Sequence, residues 1–231
     1  MCRYRHRRVH HNLTNLRKSI WAMSVVLLTG SSGQLGRVVH QYLLAAGHMV
    51  IPADRDVVDV TSDVSVGDFI SNIENLDAVV HLVGGISAGA SIADIADTVV
   101  RQQFDANVLS AMNIFRHTWP LLVRSGNGAI VTIGARDVLH PQRNRAVYSS
   151  SKGALVHLTQ ALAEDGRDVG IRANVILPSI IRTEANLEWA TNGEDADWIR
   201  PESIAATIAF LISPECRISG ASLPMYERIP Y

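Results

Sequence analysis

The sequence has few of the features that mark secreted, membrane-spanning or repetitive proteins. It has only two cysteines, Cys2 and Cys216, in 231 residues, so it lacks a disulfide framework, and we expect a reducing, cytoplasmic location. No apolar run approaches the roughly 20 residues that a membrane-spanning helix needs, so we expect no membrane partner. The sequence also shows no internal repeat and no low-complexity linker, and its length suits one large domain.

Charge is balanced over the whole chain but not along it. The formal net charge is −1, from 21 Lys and Arg against 22 Asp and Glu. Residues 1–22 hold six of the basic residues and none of the acids. We interpret 1–22 as a basic N-terminal extension or upstream start, or else a transit-type peptide, and expect the fold to occupy 23–231. Because that body is net acidic, we expect no nucleic-acid partner.

Short apolar runs alternate with segments of helical periodicity from Val25 onwards. Such runs are typical of parallel strands that helices cover on both faces. We therefore predict a single-domain α/β Rossmann fold with a doubly wound parallel sheet of about seven strands. The predicted strands are 25–29, 49–53, 57–60, 78–83, 129–133, 171–177 and 221–225, and the predicted helices are 34–46, 101–124, 148–166 and 201–212. The long polar stretch at about 179–200 is predicted to be a substrate loop.

The first predicted strand runs into the glycine-rich stretch TGSSGQLG. Gly30 permits a tight turn, Gly33 lets a pyrophosphate approach a helix N-terminus, and Gly36 lets that helix pack closely on the strand. The predicted cofactor site at this turn also includes Ser31, Ser32, Gln34 and Leu35.

Asp54 directly follows the second predicted strand, 18 residues after Gly36. This is near the spacing of a carboxylate that holds an adenosine ribose, and its charge repels a ribose 2′-phosphate. We therefore expect NAD(P)H as the cofactor, with NADH favoured. Arg55 follows and could reach a phosphate, which limits the preference.

Tyr148 precedes Lys152 by one helical turn. Together with the glycine turn and with Asn107 in FDANVLSAMNIF, this pattern resembles the short-chain dehydrogenase/reductase family from Val25 to about Met225. The resemblance implies an oxidoreductase that transfers hydride to a small carbonyl, quinonoid or imine substrate. It implies Tyr148 as acid/base, Lys152 as the group that lowers the pKa of Tyr148, and Asn107 as holder of a water linked to Lys152.

The same resemblance implies further cofactor contacts. They are the adenine-contacting pair Asp59 and Val60, the turn residues Val83 and Gly84, the nicotinamide-lining Pro178 and Ile181, and Thr183 at the nicotinamide carboxamide.

The sequence departs from the family at the position of the catalytic serine. That serine lies thirteen residues before the tyrosine, where this chain has Ala135. Dihydropteridine reductases also lack it, and AVVHLVGG and GALVHLTQALA are similar to segments of that branch. We therefore interpret the chain as an atypical member similar to that branch. Those enzymes reduce a quinonoid ring, which accepts hydride readily, so a hydroxyl that polarises the substrate matters less.

Two other functions remain open: a catalytically weak NAD(P)-binding sensor or scaffold, favoured by Ala135, and a sugar-nucleotide epimerase or reductase, favoured by the glycine spacing. No metal site is predicted, because three of the nine histidines lie in the N-terminal tail and the other six lack paired ligand spacing. Asp137 and His140 are predicted to lie on a loop surface, and Trp189 and Trp198 either to form a lid or to anchor the 179–200 loop. A homodimer or homotetramer is expected, because the two long predicted helices carry apolar residues on more than one side.

Overall fold

The computed structural model describes residues 23–228, so the predicted extension at 1–22 lies outside the described residues. Six parallel strands form one sheet: β1 (Val25–Thr29), β2 (Met49–Ala53), β3 (Ala78–His81), β4 (Gly128–Ile133), β5 (Ile171–Pro178) and β6 (Ser222–Met225). The helices are α1 (Gln34–Ala45), α2 (Asp63–Ile70), α3 (Asp97–Phe104), α4 (Ser110–Ser125), α5 (Ala146–Asp165), α6 (Glu184–Leu187) and α7 (Pro201–Ile212). None of these described helices is long and apolar enough to cross a membrane.

Helices cover both faces of the sheet because side chains alternate along each strand. Val26 and Leu28 of β1 point to one face, where they pack with α1 and α7, and Leu27 points to the other, among α2, α4 and α5. The four central strands, β1, β3, β4 and β5, are buried on both sides, which explains their nearly continuous apolar sequence. The prediction of a single-domain doubly wound α/β fold is confirmed.

The sheet has six strands, so the predicted strand at 57–60 is wrong. Val58 and Val60 are buried and Val57 and Asp59 are not, which gives the alternation of a strand. However, the backbone N–H groups of Val57 and Val58 bond to the Asp54 carbonyl, and that of Thr61 bonds to the Asp59 carboxylate. These local bonds make a turn that anchors two valines without joining the sheet.

The predicted helix at 101–124 is interrupted, and two helices, α2 and α6, were not predicted. The chain passes from α3 into α4 through a π-helical segment, Asp105–Leu109. The unpredicted helix α2 begins at Ser62, whose hydroxyl accepts a hydrogen bond from the N–H of Ser65 at 3.3 Å. The 179–200 loop is partly ordered by α6 and by a short 3₁₀ turn, Glu194–Asp197.

The strand order is β2-β1-β3-β4-β5-β6, so the chain reverses direction across the sheet between β1 and β3. In open parallel sheets, the crevice outside the carboxyl ends of the strands at such a switch point is where ligands bind. The loops that follow β1, β3, β4 and β5 all leave from this edge. They contain most of the residues that the sequence predicts to be functional.

Candidate active site

The glycine-rich turn has the close packing that its sequence predicts. Gly30 has a positive φ of 71°, and a Cβ on it would lie 3.3 Å from the backbone nitrogen of Val83. A Cβ on Gly36 would overlap the carbonyl oxygen of Gly30. Because these obstacles are backbone atoms, both positions require glycine.

The N-terminus of α1 faces outward from this turn with no side-chain cap. Gly33 is the N-cap, and the first turn of α1 contains no acidic residue. The first N–H groups of any α-helix lack intrahelical partners, and the helix dipole adds a partial positive charge. The N–H groups at Gln34, Leu35 and Gly36 therefore form a cradle that fits a phosphate group.

Asp54 is built into the glycine turn. Its carboxylate accepts hydrogen bonds from the Ser31 hydroxyl at 2.5 Å and from the backbone N–H of Ser32 at 3.1 Å. Burial raises the pKa of Asp54, but the bonds from Ser31 and Ser32 outweigh it and lower the pKa below its usual value. The carboxylate is therefore charged at neutral pH and lies next to the phosphate cradle.

Asn107 connects the loop after β3 to α5. Its Oδ1 accepts a hydrogen bond from the Gly85 N–H at 2.9 Å, and its Nδ2 donates to the Gly85 carbonyl at 3.0 Å and to the Ser151 hydroxyl at 2.9 Å. Asn107 is fully buried in the π-helical segment. Single-turn π segments are frequent at functional sites.

Lys152 lies beside Asn107 in an almost dry environment. Its Nζ donates to the Ile133 carbonyl at 2.8 Å, and the residue is 6% exposed. A Cβ on Gly84 would lie 2.6 Å from Asn107 Oδ1 and 2.9 Å from Lys152 Nζ, so the two polar atoms flank one patch of bare backbone. Burial lowers the pKa of Lys152 from 10.5 to about 8.

Tyr148 is half-buried at the start of α5, one turn before Lys152. Burial, followed by the Asp137 carboxylate, raises its pKa from 10 to about 12, and Arg145 acts in the opposite direction. The predicted lowering of this pKa by Lys152 is not present in the protein alone. The reasons are that the phenol is desolvated and that the nearby Asp137 carboxylate disfavours the phenolate.

The residues between Ala135 and Tyr148 are more ordered than the sequence indicates. Asp137 is 5% exposed, which contradicts the prediction that it lies on a loop surface. Its carboxylate bonds to Nη1 of Arg145 at 3.2 and 3.4 Å, and its backbone carbonyl accepts from the Ser149 hydroxyl at 2.8 Å. His140 packs its ring against Tyr226 with the ring centres 5.8 Å apart.

His81 is a polar residue of the site that the sequence reveals only as a departure from the family motif. The ring is buried, with Nδ1 2.9 Å from the Thr29 hydroxyl and Nε2 3.2 Å from the Ser110 hydroxyl. Ser110 donates its proton to the Ala106 carbonyl, so it accepts from Nε2–H. Burial, and then nearby Lys152, lower the pKa of His81 to about 3, so the ring is neutral.

The 179–200 loop lies over the glycine turn. The Gln34 side chain accepts a hydrogen bond from the Ala185 N–H at 3.1 Å, and Thr183 is the N-cap of α6. Arg182 donates twice to the Asp195 carboxylate, at 2.8 and 3.0 Å. Trp198 is 3% exposed and anchors the loop, whereas Trp189, 51% exposed, packs on it at a ring distance of 4.8 Å.

Most predicted site residues therefore follow the carboxyl ends of the strands. Pro178 ends β5, and Ile181 and Thr183 follow it. Asp59 and Val60 lie in the turn after β2, where the Asp59 carboxylate bonds to Thr61 and the Val60 carbonyl accepts from Asn113. Arg55 is exposed beside Asp54. Within residues 23–228, no group of three or more His, Cys, Asp or Glu side chains is placed to hold a metal ion.

Comparison with known proteins finds relatives along nearly the whole described chain. A family model described as Enoyl-(Acyl carrier protein) reductase matches residues 25–225. An uncharacterized short-chain type dehydrogenase/reductase of Sinorhizobium fredii is 28% identical over 205 residues, covering 78% of this chain and 82% of the relative. The meso-2,3-butanediol dehydrogenase of Serratia marcescens is 26% identical over 232 residues, covering 87% and 92%.

Solved structures share the same architecture. The 3-ketoacyl-(acyl-carrier-protein) reductase of Brucella melitensis complexed with NADH has a TM-score of 0.79 at 21% identity, covering 87% of this chain and 96% of that one. ElxO with NADP bound also has a TM-score of 0.79 at 21% identity, covering 88% and 97%. At these identities the likeness shows the fold alone.

The strand order and the glycine turn at the switch point define a dinucleotide-binding protein of the Rossmann class. Because the family model matches most of the chain, the protein belongs to the short-chain dehydrogenase/reductase family. It is an NAD(P)-dependent oxidoreductase of that family.

Replacing Lys152 with methionine tests the cost of the buried ammonium. The folded-state pKa of about 8 is below the ordinary 10.5, so burial of the charge destabilises the fold fully below about pH 8. We expect Lys152→Met to raise the free energy of unfolding by about 1–2 kcal/mol at neutral pH, after loss of the bond to Ile133. This gain declines as pH rises from 8 towards 10.5.

Urea unfolding at neutral pH and near the upper end of that window measures this gain. The control is Arg143→Met, which removes an exposed cation from the loop before α5 and has no such effect. A loss of stability in Lys152→Met at neutral pH contradicts the expected cost of the buried charge.

Proposed function

We propose that the protein reduces a small electrophilic substrate, with Tyr148 giving the proton. The observation that carries the proposal is the meeting of Lys152 Nζ and Asn107 Oδ1 at the bare backbone of Gly84, one turn from Tyr148. A Tyr-x-x-x-Lys pair that occurred by chance would not be expected to have its lysine buried against a glycine loop that the Asn107 side chain holds in place. The glycine cradle at the start of α1 opens at the same edge of the sheet.

The residues of this edge fit a nicotinamide dinucleotide. The N–H groups at Gln34, Leu35 and Gly36 would hold the pyrophosphate, and Asp54 would accept hydrogen bonds from the adenosine ribose. Asp59 and Val60 would contact the adenine, and Val83 and Gly84 would lie under the dinucleotide. Pro178, Ile181 and Thr183 would hold the nicotinamide, and Lys152 would bind its ribose. The cofactor, when bound, supplies the hydride.

The charge environment of Tyr148 supports a role as proton donor. A phenol with a pKa near 12 keeps its proton at neutral pH, so Tyr148 is in the form that a reduction consumes. Its proton becomes easier to transfer as positive charge gathers nearby, and we propose that Lys152, one turn along α5, adds to that charge when the cofactor is bound. Asn107 would hold a water that returns a proton to the site by way of Lys152.

Ala135 limits the class of substrate. It follows Gly134 at the carboxyl end of β4, is 4% exposed and has an extended backbone. No hydroxyl at this position polarises a carbonyl oxygen, so we propose a quinonoid or imine substrate, as in the dihydropteridine reductase branch. A catalytically weak sensor is the second candidate, and Ala135 favours it.

We also propose that two copies of the chain pair through α4 and α5. A groove of about 610 Å³ runs between these helices, and its walls are Leu109, Met112, Phe115, Arg116, Trp119, Leu158, Leu162 and Asp165. Met112 is 47% exposed there although it is apolar. In a two-fold symmetric pair the same patch on each copy meets its counterpart, so the two grooves would cover each other.

The first test is turnover by Tyr148→Phe. We expect kcat with NADH and a quinonoid dihydropterin to fall by about 10²–10⁴, the usual loss when a general acid is removed. Ala135→Ser should leave this rate nearly unchanged and should raise reduction of a simple ketone, because a hydroxyl then faces the developing oxyanion. Tyr42→Phe, on the outer face of α1, is the matched control.

Full activity in Tyr148→Phe would contradict the proposed role of Tyr148. Intact nucleotide binding without turnover of any quinonoid, quinone or ketone would instead support the sensor.

The second test concerns cofactor choice. We expect NADH to bind more tightly than NADPH, because the charged Asp54 repels a 2′-phosphate. Asp54→Asn removes the charge and keeps an oxygen for Ser31 and Ser32. It should reduce the ratio of NADH to NADPH affinity by about tenfold, or 1.4 kcal/mol. Fluorescence titration measures both affinities, with exposed Asp56→Asn as the control. Equal or tighter NADPH binding by the unmodified protein would disprove the preference.

The third test concerns assembly. We expect light scattering to show a dimer or tetramer at micromolar concentration. Met112→Glu puts a charge into the apolar groove and should shift the mass towards the monomer, whereas Leu44→Glu, at an exposed position on α1, should not. A monomeric unmodified protein rules out this interface.

A further inference from the structure

The Asp137–Arg145 ion pair lies on the loop that leads to Tyr148. The Asp137 side chain is 7% exposed and that of Arg145 is 34% exposed, with 3.2 Å between Nη1 and Oδ2. Asp137 comes two residues after Ala135, and Arg145 is the N-cap of α5, three residues before Tyr148. The hydroxyl of Ser149, the residue after Tyr148, donates a hydrogen bond to the backbone carbonyl of Asp137.

These two side chains are the charged groups that act on the Tyr148 phenol. After burial, Asp137 raises the pKa of Tyr148 and Arg145 lowers it. Other charged groups lie on the elements packed against α5 and at its C-terminal end: Asp97 and Arg101 of α3, Asp105 of the π segment, Arg136, Arg172 of β5, Glu164 and Asp165 of α5, and Arg167 and Asp168 after it. On α5 itself, Lys152 bonds to the Ile133 carbonyl. The neutral ring of His81, at the end of β3, lies near Lys152.

The pair is not explained by stability alone. An isolated ion pair that is partly removed from water contributes little net stability, since desolvation offsets the attraction. Removing one partner is costly because the other charge then stays buried and uncompensated. Here the charge that would be left uncompensated is the Asp137 carboxylate, which acts directly on Tyr148.

We propose that the Asp137–Arg145 pair sets the charge balance beside the Tyr148 phenol and thereby the pH range in which Tyr148 exchanges its proton. Both are positioning residues, since they act through Tyr148. This inference rests on the proposed role of Tyr148 as acid. It assigns to two neighbouring side chains the tuning of a site that has alanine in place of the catalytic serine.

The two single substitutions should act in opposite directions. Reduction needs protonated Tyr148, so its rate falls as pH rises through the pKa of that residue. Asp137→Asn removes the negative charge and should move this alkaline limb to lower pH by about 1 unit, and Arg145→Gln should move it to higher pH by a similar amount. In the double variant the two shifts should largely cancel, giving a limb close to that of the unmodified protein.

A second readout does not depend on activity. Tyrosinate absorbance is measured at one alkaline pH at which circular dichroism shows that the protein is folded. It is measured with and without Tyr148→Phe in the unmodified protein, in Asp137→Asn and in Arg145→Gln. The difference reports the ionised fraction of Tyr148. We expect it to be several-fold higher in Asp137→Asn and lower in Arg145→Gln, with Arg143→Gln, exposed in the same loop, unchanged.

The outcomes separate the two proposals. Opposite shifts in ionisation without any turnover would support the ion-pair inference and overturn the proposed reductase function. Shifts in the same direction, or an equal loss of kcat at every pH without a shift in ionisation, would show that the pair only holds the loop together, and would overturn the inference.

Discussion

The hydrogen bonds of the Asn107 side chain are the constraint on which the candidate site depends. One amide ties together the backbone of Gly85, the π segment that carries Asn107, and Ser151 on α5. Ser151 in turn donates to the carbonyl of Tyr148, so the first turn of α5 is linked to the loop after β3. In a continuous α-helix the Asn107 side chain would point in a different direction about the helix axis. Gly85 and Ser151 would then lose the side chain that joins them.

Around this constraint the protein buries two polar groups, and the buried charge of Lys152 has a cost in stability. Lys152 donates to the Ile133 carbonyl, and His81 stays neutral between Thr29 and Ser110. Since a protonated His81 would put a second buried cation near Lys152, its neutral form leaves Lys152 as the positive group in this interior. The parallel sheet brings them together, because β3 and β4 end at the same edge.

The sequence predicted the parts of the fold and site that have local signals. The glycine turn, the strands of continuous apolar residues and the spacing of Tyr148 and Lys152 can each be read within one short window. Val57–Val60 was predicted wrongly because alternating burial in a turn imitates a strand. The burial of Asp137 was missed because its partner, Arg145, is eight residues away, and periodicity does not show how a loop folds back. The π segment was missed because it continues the apolar pattern of the helices on either side.

The surroundings of Ala135 explain why a missing hydroxyl does not imply a missing function. A Cβ on the preceding Gly134 would lie 2.5 Å from Leu177 Cδ2, so the end of β4 packs closely on β5 and has an apolar wall. The polarity beside Tyr148 comes instead from Asp137 and Arg145, whose charges oppose each other. A neutral pair of this kind stabilises a developing oxyanion less than a donor aimed at it would. This is why we propose a substrate that accepts hydride without such help, since it would need from the protein only a proton and a fixed position.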